Sequence, residues 1–164
     1  MHVTGRYGPA MAVSGLTTFL WFDTQALDAA TFYAGLFPGA SVGAITHYPA
    51  DHLHRPASDV LAVEFTLFGQ AFTAINGGPQ FPHSEAVSFM VHCDTQDELD
   101  SIWDALVADG GEESRCGWCR DRFGISWQVV PRDIQELLAA GAWPALMPMS
   151  RIDIQALRDA VRIS

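Results

Sequence analysis

The order of predicted elements repeats once along this chain, and no other feature constrains the fold as strongly. The tripeptide Asp23-Thr24-Gln25 recurs as Asp94-Thr95-Gln96. Each copy follows a strand-like run and leads into a helix-like run, and three further strand-like runs come after each helix. Because a repeat of this kind indicates duplicated supersecondary units, the sequence predicts an α+β fold built from two βαβββ modules.

Hydrophobic periodicity and turn residues set the predicted boundaries of these modules. They cover about residues 16–79 and 84–131. Residues 1–15 are predicted to form a loose leader, and residues 132–164 a tail of short helices. The tail needs a surface to cover, and the sequence leaves open whether it lies over the mouth of a cleft or across a partner in a dimer.

Charge and composition exclude several classes of function. Among 164 residues, 19 acidic groups against nine basic ones give a formal net charge of -10, so nucleic acid and anionic membranes are not expected as partners. All nine basic residues are Arg, and a chain without Lys forms neither a lysine Schiff base nor a Walker-type phosphate loop. The odd number of cysteines, three, favours a reducing compartment, and a cytoplasmic protein is expected.

Three segments carry a family resemblance. They are FLWFDTQALDAATFYAGLFPGA, NGGPQFPHSEAVSF and CGWCRDRFGISWQVVP. They resemble the 3-demethylubiquinone methyltransferase-like (PhnB-like) branch of the vicinal oxygen chelate superfamily, which also holds glyoxalases, extradiol dioxygenases and bleomycin-sequestering proteins. The resemblance covers about residues 16–160 and implies a curled mixed β-sheet around a cleft, helices on the outer face, and a homodimer. Methyl transfer itself is not expected, because the chain lacks the strand–helix alternation and G-x-G turn of nucleotide-binding methyltransferases.

The resemblance also implies a divalent metal, held by His, Glu or Gln from the first and last strands of each module. At those positions this chain offers Thr17, Thr73, Ser88 and Gln128. Hydroxyls and a neutral amide are weak ligands, since catalytic divalent sites need carboxylate or imidazole donors. The sequence therefore predicts no cofactor and a degraded metal site, with a metal-dependent lyase, isomerase or dioxygenase as the alternative.

Strand alternation predicts a ligand cleft lined by neutral polar groups. Thr17, Thr73, Ser88 and Gln128 alternate with the bulky apolar residues of their strands, which should face the helices. Three aromatic residues and one thiol complete the predicted lining: Phe19, Trp21, Trp118 and Cys116. Such a cleft suits a small, partly apolar organic ligand. The alternative is that these are ordinary polar residues on a half-exposed sheet.

Two residues are candidates for acid/base catalysis. Glu64 is a carboxylate at the centre of a predicted strand, and His92 ends another strand with a side chain that titrates near neutral pH. Both could equally be exposed residues without a role. The Cys116–Cys119 pair lacks the helix N-terminus that activates a thioredoxin-type motif, so two small residues in a hairpin are the simpler interpretation. The open hypotheses are a metal-free enzyme, a sequestering protein and a metal-dependent enzyme.

Overall fold

The computed structural model describes residues 14–50 and 55–162, so most of the predicted leader lies outside the described residues. In chain order the elements are β1 (Thr18–Phe22), α1 (Ala26–Leu36), β2 (Ser41–His47), β3 (Val60–Leu67), β4 (Gln70–Asn76), β5 (Ser88–Cys93), α2 (Gln96–Val107), β6 (Glu112–Glu113), β7 (Trp118–Arg120), β8 (Ser126–Pro131), α3 (Ile134–Ala139), α4 (Trp143–Leu146) and α5 (Ile154–Arg162). This order confirms the two βαβββ modules and the helical tail. None of the described helices is long and apolar enough to cross a membrane.

Each module forms one four-stranded mixed sheet with the same topology. The strand orders are β1-β4-β3-β2 and β5-β8-β7-β6. The first strand of each module pairs in parallel with the last, and the remaining neighbours pair antiparallel. The two sheets therefore repeat one plan, as the duplicated tripeptide predicts.

One face of each sheet packs into the core. In β3, Val63, Phe65 and Leu67 are buried, whereas Glu64 between them is exposed, as strand alternation predicts. In the second sheet the apolar side meets α2, whose Trp103 is fully buried. The opposite face of each sheet, which we call the cleft face, carries the predicted ligand-binding residues.

A buried carboxylate joins the two modules. Asp121, which is 2% exposed, accepts hydrogen bonds from the Tyr33 hydroxyl of α1 at 2.7 Å and from Trp127 Nε1 at 2.8 Å. Its other oxygen accepts from the backbone N–H groups of Phe123 and Ile125. Burial, and then the Asp121 charge, hold the pKa of Tyr33 well above its usual value, so the phenol stays a donor.

The tail covers its own second module. The Gln96 side chain donates to the Ile152 carbonyl at 3.0 Å and accepts from the Ile154 N–H at 2.9 Å, so one amide clamps the chain that enters α5. Ile152 and Leu157 are fully buried. Within its own chain the tail therefore lies against α2 and the β6–β7 turn.

Candidate functional site

The cleft face of the first sheet presents a row of three adjacent side chains. Phe19 of β1 is paired with Thr73 of β4, and Thr73 is paired with Glu64 of β3, so the three side chains lie on one face. We call them the first row. Phe19 is 63% exposed and Glu64 is exposed, while Thr73 is buried at 8%. Gly43 of β2 lies against the backbone and Cβ of Glu64. Thr17 precedes β1 and is exposed.

The cleft face of the second sheet carries the equivalent row. Met90 of β5 is paired with Gln128 of β8, which is paired in turn with Trp118 of β7. We call these three the second row. Gln128 Nε2 donates to Ser88 Oγ at 2.9 Å. The structure thus brings Ser88, Gln128 and Trp118 together, and it places Thr73 and Gln128 at equivalent positions of the two modules.

Trp21 is held in place by the linker between the modules, residues 77–87, and does not form a free rim. Its Nε1 donates to the Gly78 carbonyl at 2.8 Å, and its ring packs edge-on against Phe81 with 5.1 Å between ring centroids. A Cβ on Gly77 would lie 2.0 Å from the Trp21 ring, so only glycine fits there. The Asn-Gly-Gly-Pro segment therefore permits the linker to cover Trp21.

His92 lies on the cleft face of β5, two residues beyond Met90, and is exposed. It belongs to the second sheet, whereas Glu64 belongs to the first. The two candidate acid/base residues are therefore in different modules, and His92 occupies the position that Trp21 has in the first. No hydrogen bond or ion pair links them within the described part of the chain.

The three cysteines are free thiols in different environments. Cys119 is buried under α2, and burial, reinforced by the Asp121 and Glu113 charges, raises its pKa to about 12. Cys116 is half-buried in the β6–β7 turn with φ 59°, and its N–H donates to the Met149 carbonyl. Cys119 thus packs as a small apolar residue, which agrees with the simpler interpretation of the motif.

The donor set does not fit a catalytic divalent metal. Where the resemblance implies ligands, the chain has the hydroxyls of Thr17, Thr73 and Ser88, and the Gln128 amide is already bonded to Ser88. Among the residues that the structure describes, no group of three His, Cys, Asp or Glu could hold a metal ion. Because such sites need imidazole or carboxylate donors, we derive no step through a metal.

An apolar recess of about 200 Å³ opens beside Ser88, between the two modules. Its other lining residues are Leu67, Phe68, Gln70 and Phe72 from the first module and Phe89, Met90, Val91 and Trp127 from the second. A polar pair and an apolar recess therefore lie next to each other. The sequence pattern did not indicate this recess, because its walls come from residues far apart in the chain.

Two βαβββ modules with this strand order are the fold that the resemblance to the vicinal oxygen chelate superfamily implies. The family described as 3-demethylubiquinone-9 3-methyltransferase matches residues 14–130. A solved structure described as a putative 3-demethylubiquinone-9 3-methyltransferase, PhnB protein, from Bacillus cereus is 30% identical, with 70% of this chain and 98% of that chain covered and a TM-score of 0.63. The chain belongs to this 3-demethylubiquinone-9 3-methyltransferase family.

A more distant structure shows the same fold. A protein from Pseudomonas aeruginosa is 19% identical, with 71% of this chain and 95% of that chain covered and a TM-score of 0.55. No curated protein matches the chain. The comparisons therefore establish the family and the fold, and the chemistry has to be argued from the site.

Proposed function

We propose that this protein binds a small, neutral, partly apolar organic molecule on its cleft face without a tightly held divalent metal. The observation that carries this proposal is the Gln128–Ser88 hydrogen bond at the edge of the apolar recess. The pair leaves one hydrogen on Gln128 Nε2 and the Ser88 hydroxyl hydrogen without a partner among the described residues, so both groups can donate to a ligand. The recess would take the apolar part of the same molecule.

Charge supports a neutral ligand over an anionic one. The formal net charge is -10, and Glu64 adds a carboxylate to the first row. An anion would be repelled at long range and would meet no cationic side chain in either row. We do not extend methyl transfer to this chain, because its two βαβββ modules differ from the alternating strands and helices of nucleotide-binding methyltransferases.

Acid/base turnover of the bound molecule is a second candidate function, and Glu64 favours it. This residue lies on the cleft face beside Thr73, is exposed, and has no hydrogen-bond or ion-pair partner among the described residues. A base needs such access to its substrate. His92, on the cleft face of the other sheet, is the alternative base. A sequestering protein would need neither residue.

A second copy of the chain is the proposed partner. Leu16 is 92% exposed and Phe19 is 63% exposed at the edge strand β1, and burial of such apolar side chains favours association. We also propose a cytoplasmic location, which the three free thiols support.

Native mass spectrometry of gently purified protein tests the proposal first. We expect a dimer without stoichiometric metal, and any retained organic mass would identify the ligand class. One divalent ion per chain, bound tightly enough to survive dialysis, would overturn the metal-free site. A monomer at micromolar concentration would overturn the proposed partner.

A defined probe then tests the binding face. Acetophenone combines a carbonyl acceptor with one apolar ring, and ligand-observed NMR reports its binding. We expect Gln128→Leu to weaken binding severalfold, because it removes the amide donor, while Gln25→Leu, an exposed position outside both rows, leaves binding unchanged. Equal binding by both variants would contradict the site. Loss of turnover in Glu64→Gln with retained binding would support the acid/base candidate.

A further inference from the structure

A second cavity, of about 220 Å³, lies where the linker crosses the first residues of β5 and β8. Its lining residues are Leu20, Pro82, His83, Ser84, Ala86, Val87, Phe89, Ile125 and Ser126. None of them belongs to either row of the cleft face. The cavity is therefore a separate place in the fold, between the modules and under the linker.

Two buried polar atoms at this cavity have no hydrogen-bond partner among the described residues. They are His83 Nε2 and Ser126 Oγ, and Ser126 is only 2% exposed. Most buried polar atoms in native proteins are paired, because leaving one unpaired costs free energy. Two such atoms among the lining residues of one cavity indicate that their partner lies outside the described residues.

We propose that this cavity is a binding site for a small, neutral, hydroxylated aromatic molecule, for which phenol is the simplest representative. A phenolic hydroxyl is both a donor, which suits His83 Nε2, and an acceptor, which suits the Ser126 hydroxyl. The apolar walls formed by Leu20, Phe89 and Ile125 would contact the ring. The volume lies below the range of about 300–1,000 Å³ for drug-sized ligands, so one ring fits better than a larger molecule.

Electrostatics favour the neutral form of the ligand. No Asp, Glu or Arg is among the lining residues. A phenolate or carboxylate would therefore lose its hydration without gaining a fixed positive charge, at a large cost in free energy. Phenol carries no charge at neutral pH and avoids this penalty.

The linker forms one wall of the cavity, and this wall can move. Pro82, Ser84 and Val87 line the cavity and are also exposed. The segment is tied locally by two long hydrogen bonds, from the Val87 N–H to the Ser84 carbonyl at 3.5 Å and from the Ala86 N–H to Ser84 Oγ at 3.4 Å. A segment held this weakly opens at low cost, so the ligand enters by displacing residues 84–87.

Titration of the intact protein with phenol and with toluene, followed by NMR and calorimetry, tests the site. Toluene has nearly the same shape but no hydroxyl, so we expect it to bind several times more weakly. Ser126→Ala should weaken phenol binding about fivefold to tenfold, the usual loss for one hydrogen bond, and Ser88→Ala on the cleft face should leave it unchanged. His83→Phe keeps a ring beside Phe22 and removes the acceptor, so it should also weaken phenol binding.

A stability measurement separates this result from damage to the fold. Removing an unpaired buried hydroxyl should leave the ligand-free Ser126→Ala protein as stable as the original or more stable, while its phenol affinity falls. Equal binding of phenol and toluene, unchanged phenol binding by Ser126→Ala, or no binding of phenol at millimolar concentration would each overturn the proposal. Acetophenone binding through Gln128 would be unaffected by these outcomes, so the two sites fail independently.

Discussion

The two modules share a strand order and a tripeptide, yet their sheets are completed in different ways. In the first module β2, β3 and β4 have seven, eight and seven residues, whereas β6, β7 and β8 of the second have two, three and six. The tail occupies the space beside the shortened strands, since the N–H groups of Cys116 and Gly117 donate to the carbonyls of Met149 and Ser150. The duplicated sequence thus sets the strand order of both sheets, and the tail, which lies outside the repeat, completes the second module.

The turns that join β3 to β4 and β7 to β8 also differ between the modules. A substitution in the β7–β8 turn gives the largest predicted effect on stability. The β3–β4 turn exposes Phe68, whereas the β7–β8 turn is buried around Asp121 under α1. Asp121→Ala leaves four donors without their acceptor, so the free energy of unfolding should fall by about 3–5 kcal/mol. Thr66, a half-buried residue near the end of β3 in the first module, is the control, and Thr66→Ala should cost less than about 1 kcal/mol. Equal urea midpoints of unfolding for the two variants would show that the two turns contribute equally to stability, contrary to this prediction.

The next largest loss of stability is expected at two glycines where an added Cβ would lie too close to neighbouring atoms. A Cβ on Gly117 would lie 2.8 Å from the Val129 carbonyl oxygen and from Ile152 Cδ1, and a Cβ on Gly77 would overlap the Trp21 ring. Each Gly→Ala change should cost about 2–4 kcal/mol, because the overlap adds to backbone strain at Gly117 and displaces an aromatic ring at Gly77.

Local readouts distinguish the two glycines. Gly117→Ala should free the tail for limited proteolysis, while Gly77→Ala should change the fluorescence of Trp21. Gly39 has φ +72° but nothing near its Cβ, so Gly39→Ala isolates the conformational cost of about 1 kcal/mol. If it destabilises as much as Gly117→Ala, the contacts contribute nothing.

The sequence predicted what local patterns encode. Strand alternation indicates which face of β3 is buried, and helical spacing indicates that Trp103 lies in the core, because both patterns depend on residues close together in the chain. Asp121 was not found, since its partner Tyr33 is 88 positions away and no local signal marks the pair. The sequence identified which residues are candidates for the cleft face. Which of them lie side by side on each sheet depends on the pairing of strands that are far apart in the chain.

The repeated tripeptide itself separates local sequence from tertiary context. Gln96 clamps the tail and also donates to Asp100, while Gln25 is exposed at the start of α1. Gln96→Ala should therefore lower the free energy of unfolding by about 1–2 kcal/mol, and Gln25→Ala by less than about 0.5 kcal/mol. Thermal unfolding of the matched pair measures the difference. Identical shifts would show that the tail is held without the amide.

The smallest effect concerns two buried positions at which the modules differ in chemistry. Strand register places Cys93 where the first module has Phe22, and Cys119 where it has Phe65. Burial raises the pKa of Cys93 from 9.0 to about 11 and that of Cys119 to about 12. Both thiols therefore stay protonated in the folded chain over a pH range in which they ionise in the unfolded chain.

Stability should consequently fall as pH rises above 9. Over that range the unfolded chain releases protons that the folded chain retains, so the free energy of unfolding decreases with pH, and below about pH 8 the thiols contribute no slope. Tyr33 has a raised pKa as well and adds to the slope at higher pH. A Cys93→Ala/Cys119→Ala variant should be less stable at pH 8, because it leaves cavities, but should lose less stability between pH 8 and pH 10. Urea midpoints at the two pH values measure this difference, in which the Tyr33 contribution cancels. An equal loss in both proteins would show that the thiols of the second module are as insensitive to pH as the phenylalanines of the first.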